Sequence, residues 1–295
     1  MELAYDNAIE VKGLNKKYKN FKLNNVSFNI PKGRIVGFIG QNGAGKSTTI
    51  NAILNLVEKD SGDIKLFGMD YSKNSMIIKE NIGVVFDDFN FHDILNVKEL
   101  DNIFKRLYSK WDAILYNNYV NSFGLPKNQN IGTFSKGMKM KLGVIIALAQ
   151  KPKLLIMDEA TTGLDVGARN DILDLLLEFI QDEEHTVFFS SHITNDLEKI
   201  ADYILIIHDG EIIIYDEKDK IIENFGILKS KKTDFEKIDS EDIVAFRRNE
   251  FSYECLVSNK EKIQNKYPKM IVDNATLDDI LLFYIKGEQN AGNSL

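Results

Sequence analysis

Apolar runs of four or five residues, separated by turn residues and by stretches of helical spacing, organise most of this chain. Residues 9–11 and 26–30 read as short strands. After the turn Pro31-Lys32-Gly33 comes Ile35-Val36-Gly37-Phe38-Ile39, an unbroken apolar run that predicts a strand buried on both faces. A glycine-rich stretch follows. Residues 47–57 then carry Ile50, Ile53, Leu54 and Val57 at helical spacing, which makes the local order strand, loop, helix.

Residues 88–151 read as largely helical. Ser109-Lys110-Trp111-Asp112 resembles an N-terminal capping box, Met138, Leu142, Ile145 and Ala149 form one apolar stripe, and Trp111 reads as a packing residue. Strands at 154–157, 186–189 and 204–207 alternate with helical segments at 169–180 and 195–200. Such alternation, with each strand apolar on both faces, predicts an α/β fold whose parallel-rich sheet is covered on both sides. Beyond about Asp216 the texture turns charged, with a short alternating run at 251–257 and a last amphipathic helix. Thr276-Leu277-Asp278-Asp279 would cap that helix, and Leu277, Ile280, Leu281 and Tyr284 share one of its faces. The expected division is a domain over 1–216, with a helical subdomain inserted at about 88–151, and a small α+β accessory domain over 217–295 that ends in a frayed tail from Glu288.

The 295 residues, 44% of them hydrophobic, suffice for a full core, and the net charge of −7 gives no general attraction for nucleic acid or anionic lipid. No nucleic-acid partner is expected. Cys255 is the only cysteine, so no disulfide joins two parts of the chain, and a buried apolar role in a reducing cytoplasm is expected for it. The N-terminal residues form no signal-peptide pattern, and no apolar run approaches the roughly 20 residues that span a bilayer. Any membrane connection would have to come through a partner.

Candidate chemistry sits at the first strand–loop–helix junction. Gly40-Gln41-Asn42-Gly43-Ala44-Gly45-Lys46-Ser47 fits G-x-x-x-x-G-K-[ST] between a buried strand and a helix. Glycines let successive N–H groups turn toward a phosphate, the helix N-terminus adds partial positive charge, Lys46 reaches the β and γ oxygens, Ser47 can ligate magnesium, and Thr48 extends the set. Leu154-Leu155-Ile156-Met157-Asp158-Glu159 is a hydrophobic strand ending in two carboxylates, one for the metal and one for the attacking water. No Asn-Lys-x-Asp guanine-reading tetrapeptide occurs, which argues against a GTPase.

With these motifs in order, the chain resembles the ABC ATPase family from about residue 9 to residue 216. The resemblance implies that Phe134-Ser135-Lys136-Gly137-Met138 is the signature sequence, usually Leu-Ser-Gly-Gly-Gln, and that Ser135, Lys136, Gly137 and Met138 face the γ-phosphate held by a second subunit. It further implies that Thr162-Gly163-Leu164-Asp165 is the D-loop, that His192 is the switch histidine, and that Tyr18 stacks on adenine. His92, His185 and His208 receive no role.

The chain departs from the family pattern at several places. The Q-loop glutamine corresponds to Asp87, with Asp88 the neighbouring choice, and a carboxylate there can still meet magnesium. Lys136 and Met138 replace a glycine and a glutamine of the signature, and Ala160 and Val166 stand where prolines are usual. Lys136-Gly137-Met138-Lys139, the stretch Ser109-Lys110-Trp111-Asp112 and the C-terminal helix look like the branch that exports drugs and antimicrobial peptides.

The resemblance implies an ATPase with Glu159, His192 and Lys46 as catalytic residues and ATP and Mg2+ as cofactors. It would work as a homodimer or heterodimer beneath a separate multi-span permease, on the cytoplasmic face of the membrane. The alternatives are a soluble ABC ATPase, disfavoured by the single loop and the short interval from Lys46 to Ser135, and a nucleotide-gated regulator without a transport role.

Overall fold

The computed structural model describes residues 5–88, 91–250 and 252–289. The chain opens with β1 (Asn7–Lys17) and β2 (Lys22–Pro31), an antiparallel pair, before β3 (Ile35–Ile39) enters a second sheet and leads through the glycine-rich loop into α1 (Lys46–Ile53). β4 (Ser61–Leu66) and β5 (Met69–Asp70) return to the first sheet, which has the order β2-β1-β4-β5. Next come α2 (Tyr71–Glu80), β6 (Ile82–Phe86), α3 (Val97–Leu107), α4 (Ala113–Ser122) and α5 (Lys136–Ala149). The core then closes with β7 (Leu154–Asp158), α6 (Val166–Phe179), β8 (Thr186–Ser191), α7 (Thr194–Ile200), β9 (Tyr203–His208) and β10 (Glu211–Glu217).

The central sheet has the order β10-β9-β3-β8-β7-β6, parallel except for β10. Its strands obey period two. Ile35, Ile39, Leu155, Met157, Val187 and Phe189 join a cluster with α5, α6 and α7, whereas Val36, Phe38, Leu154, Ile156 and Phe188 join one with α1 and the antiparallel sheet. Both faces are therefore dry, and the unbroken apolar runs follow from that. Register aligns Phe86 with Asp158 and Asp158 with Ser190, so the C-terminal ends of β6, β7 and β8 lie side by side. That edge is where ligands bind in open α/β sheets.

α5 joins two cores. Leu142, Ile145 and Ala149 pack with α3 and α4, while Met140, Val144, Ala147 and Leu148 pack on the sheet. Trp111 fills the helical cluster as expected, with its ring 5.3 Å from that of Phe104 and its Nε1–H donated to Asp101 at 2.7 Å. Two local expectations need correction. Asp112, not Ser109, caps α4, accepting the N–H groups of Ile114 and Leu115 at 3.0 and 2.9 Å, while Ser109 donates to Glu80. α1 ends at Ile53, short of the expected Val57, and Leu56 is solvent-exposed.

The remaining residues form α8 (Lys218–Asn224), β11 (Gly226–Lys231), α9 (Lys232–Phe235), β12 (Ala245–Arg248), β13 (Ser252–Val257), α10 (Lys260–Lys266), β14 (Ile271–Asn274), α11 (Leu277–Lys286) and β15 (Glu288–Gln289). The five strands make an antiparallel sheet of order β14-β11-β13-β12-β15. Thr276 and Asp279 form the capping box at the start of α11, and Leu277, Ile280, Leu281 and Phe283 pack into the main core. Glu288 and Gln289, expected to fray, pair with Phe246 and Ala245. Residues 290–295 lie outside the described residues. Cys255 is fully buried, and burial pushes its thiol up to about 12, which leaves it inert.

Candidate active site

The loop after β3 is a backbone cradle. Gly43 and Gly45 adopt φ of +84° and +118°, conformations that favour glycine, and a Cβ on Gly45 would lie 2.7 Å from the Leu23 side chain. A Cβ on Gly40 would come 2.7 Å from the Ile207 carbonyl oxygen. Ala44 donates its N–H to the Gln41 carbonyl at 3.1 Å, and Thr49 ties the first turn of α1 through its hydroxyl to the Gly45 carbonyl at 2.9 Å. Gln41, Asn42, Gly43, Gly45, Lys46, Ser47 and Thr48 border a cavity of about 280 Å³ that also reaches Phe21 and Glu159.

Lys46 is 5% exposed, and its ammonium donates to the Gly40 and Gln41 carbonyls at 2.6 and 3.2 Å while standing 3.0 Å from Glu159 Oε1. Glu159 has φ of +55°, unusual for a residue with a side chain, and its N–H is held by the carbonyl and the hydroxyl of Ser190, each at 3.1 Å. Its Oε2 accepts from the Thr162 hydroxyl at 2.9 Å and meets His192 Nδ1 at 2.6 Å. Burial pushes this carboxyl up, but the Lys46 charge and the hydrogen bonds from Lys46, His192 and Thr162 outweigh it and hold it below the usual range. Glu159 is thus fixed at both oxygens and charged. Asp158, at the end of β7, is 8% exposed and accepts the Ser190 hydroxyl at 2.5 Å.

Sequence reasoning gives no role to Ser190 or Phe21, and places Thr162 only in the D-loop, without its bond to Glu159. Ser190 orients both carboxylate residues, and strand register alone brings it there. Thr162 fixes Glu159 through a turn. Phe21 borders both the loop cavity and a neighbouring one of about 350 Å³ that holds Tyr18, so Phe21 is the aromatic next to the loop. Tyr18 is 42% exposed, with Lys16 Nζ 5.5 Å from its ring centre.

Ser135 caps α5, accepting the Met138 N–H at 3.2 Å. Gly137 is buried, and a Cβ there would lie 2.9 Å from Ala168 Cβ, so the first turns of α5 and α6 touch. Lys136 points outward and sits 2.8 Å from Asp87 Oδ1. Asp165 caps α6 by accepting the Ala168 N–H at 2.9 Å, and that bond holds its carboxyl below the ordinary range. His185 stacks on Phe179 and His208 lies 3.7 Å from Asp209. Among the described residues no group of three or more His, Cys, Asp or Glu gathers as a metal cage. Magnesium carried on nucleotide phosphates needs only one or two protein oxygens rather than a cage, and Ser47 borders the loop cavity.

Comparison with known proteins agrees with this geometry. The ABC transporter family model matches residues 23–162. The lantibiotic transport ATP-binding protein SrtF of Streptococcus pyogenes is 34% identical over 232 residues, 78% of this chain and 99% of that protein. The bacitracin transport ATP-binding protein BcrA of Bacillus licheniformis is 34% identical over 208 residues, covering 70% of this chain and 68% of its own length. A solved ATP-binding subunit of an ABC transporter superposes with a TM-score of 0.65 at 27% identity, over 72% of this chain and 91% of that one. A phosphate-type loop facing a strand that ends in two carboxylates, with these relatives, makes the chain an ATP-binding ATPase of the ABC transporter family.

Proposed function

We propose that two such subunits close around two magnesium–ATP units and drive a separate membrane permease that exports amphiphilic antimicrobial compounds. The observation that carries the hydrolytic part is the line Lys46–Glu159–His192, which fixes a charged carboxylate at the mouth of the loop cavity. Lys46, the loop N–H groups and magnesium would stabilise the transferring phosphoryl group, Asp158 and Ser47 would hold the metal, and Glu159 would orient and deprotonate water. His192, bonded to Glu159, would contact the γ-phosphate, and Tyr18 with Phe21 would receive the adenine. Ser135, Lys136, Gly137, Met138 and Asp165 would act across the pair. Residues 1–216 would be the motor, with residues 217–295 as an accessory domain.

Among the described residues no helix is long and apolar enough to cross a membrane. Two adjoining cavities of about 290 and 270 Å³ share Val84, Phe86, Tyr108 and Gln150, next to the exposed Leu56 and Leu107. This apolar surface lies between the sheet and the helical subdomain, and a permease's cytoplasmic helix would seat there. The chain's likeness to a lantibiotic and a bacitracin transport ATP-binding protein supports an antimicrobial cargo. Solubilising the native complex in detergent through a tag on this chain tests the reading. A co-purifying multi-span protein, with ATP hydrolysis stimulated by antimicrobial peptides, supports it, and recovery of the chain without such a protein contradicts it.

A further inference from the structure

Two departures from the family pattern meet in space. Asp87 stands where a glutamine is usual and Lys136 where a glycine is usual, and Lys136 Nζ lies 2.8 Å from Asp87 Oδ1 although 49 positions separate them. Asp87 directly follows Phe86, which is in register with Asp158, so Asp87 and Glu159 are the residues that leave two neighbouring strand ends at the sheet edge. A Cβ built on Gly163 would lie 3.5 Å from the same ammonium, and Gly163 follows Thr162, which bonds Glu159. The ammonium therefore sits at the rim of the hydrolytic site. A second pair, Lys139 with Asp93 at 3.2 Å, ties the next turn of α5 to the segment after β6.

We propose that Lys136 is a transferable cation. It is held in its own subunit by Asp87 and surrenders that partner for the terminal phosphate of ATP bound by the second copy, which frees the Asp87 charge at the strand end neighbouring that of Glu159. The inference rests on the paired reading above. The charge accounting favours exchange. Lys136 and Asp87 side chains are 48% and 43% exposed, so water screens the pair and its hold is weak, whereas a phosphate bearing more than one negative charge competes well for a single ammonium. The buried face of α5, through Met140, Leu142, Val144 and Ile145, keeps the helix in place while Lys136 moves. Lys136 is then a positioning residue in the separate chain and a phosphate ligand in the pair, and each ATP bound reports to the other subunit's Glu159.

The exchange makes the two partners' variants act in opposite directions on one quantity, the ATP concentration that drives association. That association is measured by sedimentation of the magnesium–ATP form of a Glu159→Gln parent, which is slow to consume its ligand. Lys136→Ala removes the phosphate contact and raises the concentration needed by about fivefold or more, whereas Asp87→Asn releases the lysine and lowers it by about twofold to fivefold. Shifts in the same direction mark an ordinary structural tie and overturn the exchange. Unchanged association in both variants overturns it as well. If the parent itself does not associate in ATP, the paired reading falls and the exchange with it, a result distinct from the other two.

Discussion

Lys46 Nζ and Glu159 Oε1 stand 3.0 Å apart, with the lysine 5% and the glutamate 16% exposed, so the residue that would grip phosphate and the one that would activate water share one ion pair. The pair spans two elements, because Lys46 opens α1 and Glu159 follows β7. Loop and sheet edge are thereby locked in register.

Removing one member of such a pair should cost more than removing both, since a buried charge without its partner pays the full desolvation penalty. Lys46→Met should lower stability by roughly 3 kcal/mol, and adding Glu159→Gln to it should recover more than half of that loss. Chemical denaturation of the two single variants, the double variant and the parent checks this. Additive losses would show that the two side chains do not interact.

Acid should reveal the same pair. Glu159 is held below its ordinary value in the folded chain, so its stabilising contribution is complete above the unfolded glutamate value of about 4.3 and is lost as pH falls through the lower folded value. The melting-temperature gap between the parent and Glu159→Gln should therefore narrow as pH falls below about 4. A gap that widened in acid would mean that the carboxyl is raised instead.

His192 and Thr162 should separate by role. Both bond Glu159 Oε2, at 2.6 and 2.9 Å, but the His192 side chain is 38% exposed while Thr162 is part of a turn. His192→Ala should lower kcat by about 10²-fold, and Thr162→Val, which only loosens the carboxylate, by about tenfold or less. Steady-state kinetics at saturating ATP distinguishes them. Equal losses would place both in the same supporting role.

Much of this site was legible because it lies within contiguous motifs. Residues 40–47 and 154–159 each carry their chemistry in a short strand-loop unit, so composition and order suffice. Ser190 and Phe21 were not legible, since each reaches the site through pairing or packing of distant segments. The Lys136–Asp87 contact is hidden for the same reason, since 49 positions separate the two residues. The central strands were readable from unbroken apolar runs. The tail at Glu288 and Gln289 was not, because its pairing with Phe246 and Ala245 depends on β12 being an open edge.

The cap of α4 shows how local rules can point one turn too early. Ser109 and Asp112 are both good caps by type, and the fold selects Asp112 because its backbone N–H is held by the Ala149 carbonyl at 2.8 Å, fixing where the helix begins. Asp112→Ala should cost about 1 kcal/mol, and Ser109→Ala should stay within about 0.5 kcal/mol of the parent. Thermal denaturation checks the pair, and a larger loss at Ser109 would reverse the assignment.

Phosphate release by the purified chain in magnesium–ATP, compared with that of Glu159→Gln alongside equilibrium ATP binding, tests the account most directly. The account predicts hydrolysis by the parent, a loss of about 10²-fold or more in Glu159→Gln, and ATP affinity within about threefold between the two. Undiminished hydrolysis by Glu159→Gln, or ATP binding lost together with turnover, would contradict the role given to this carboxylate.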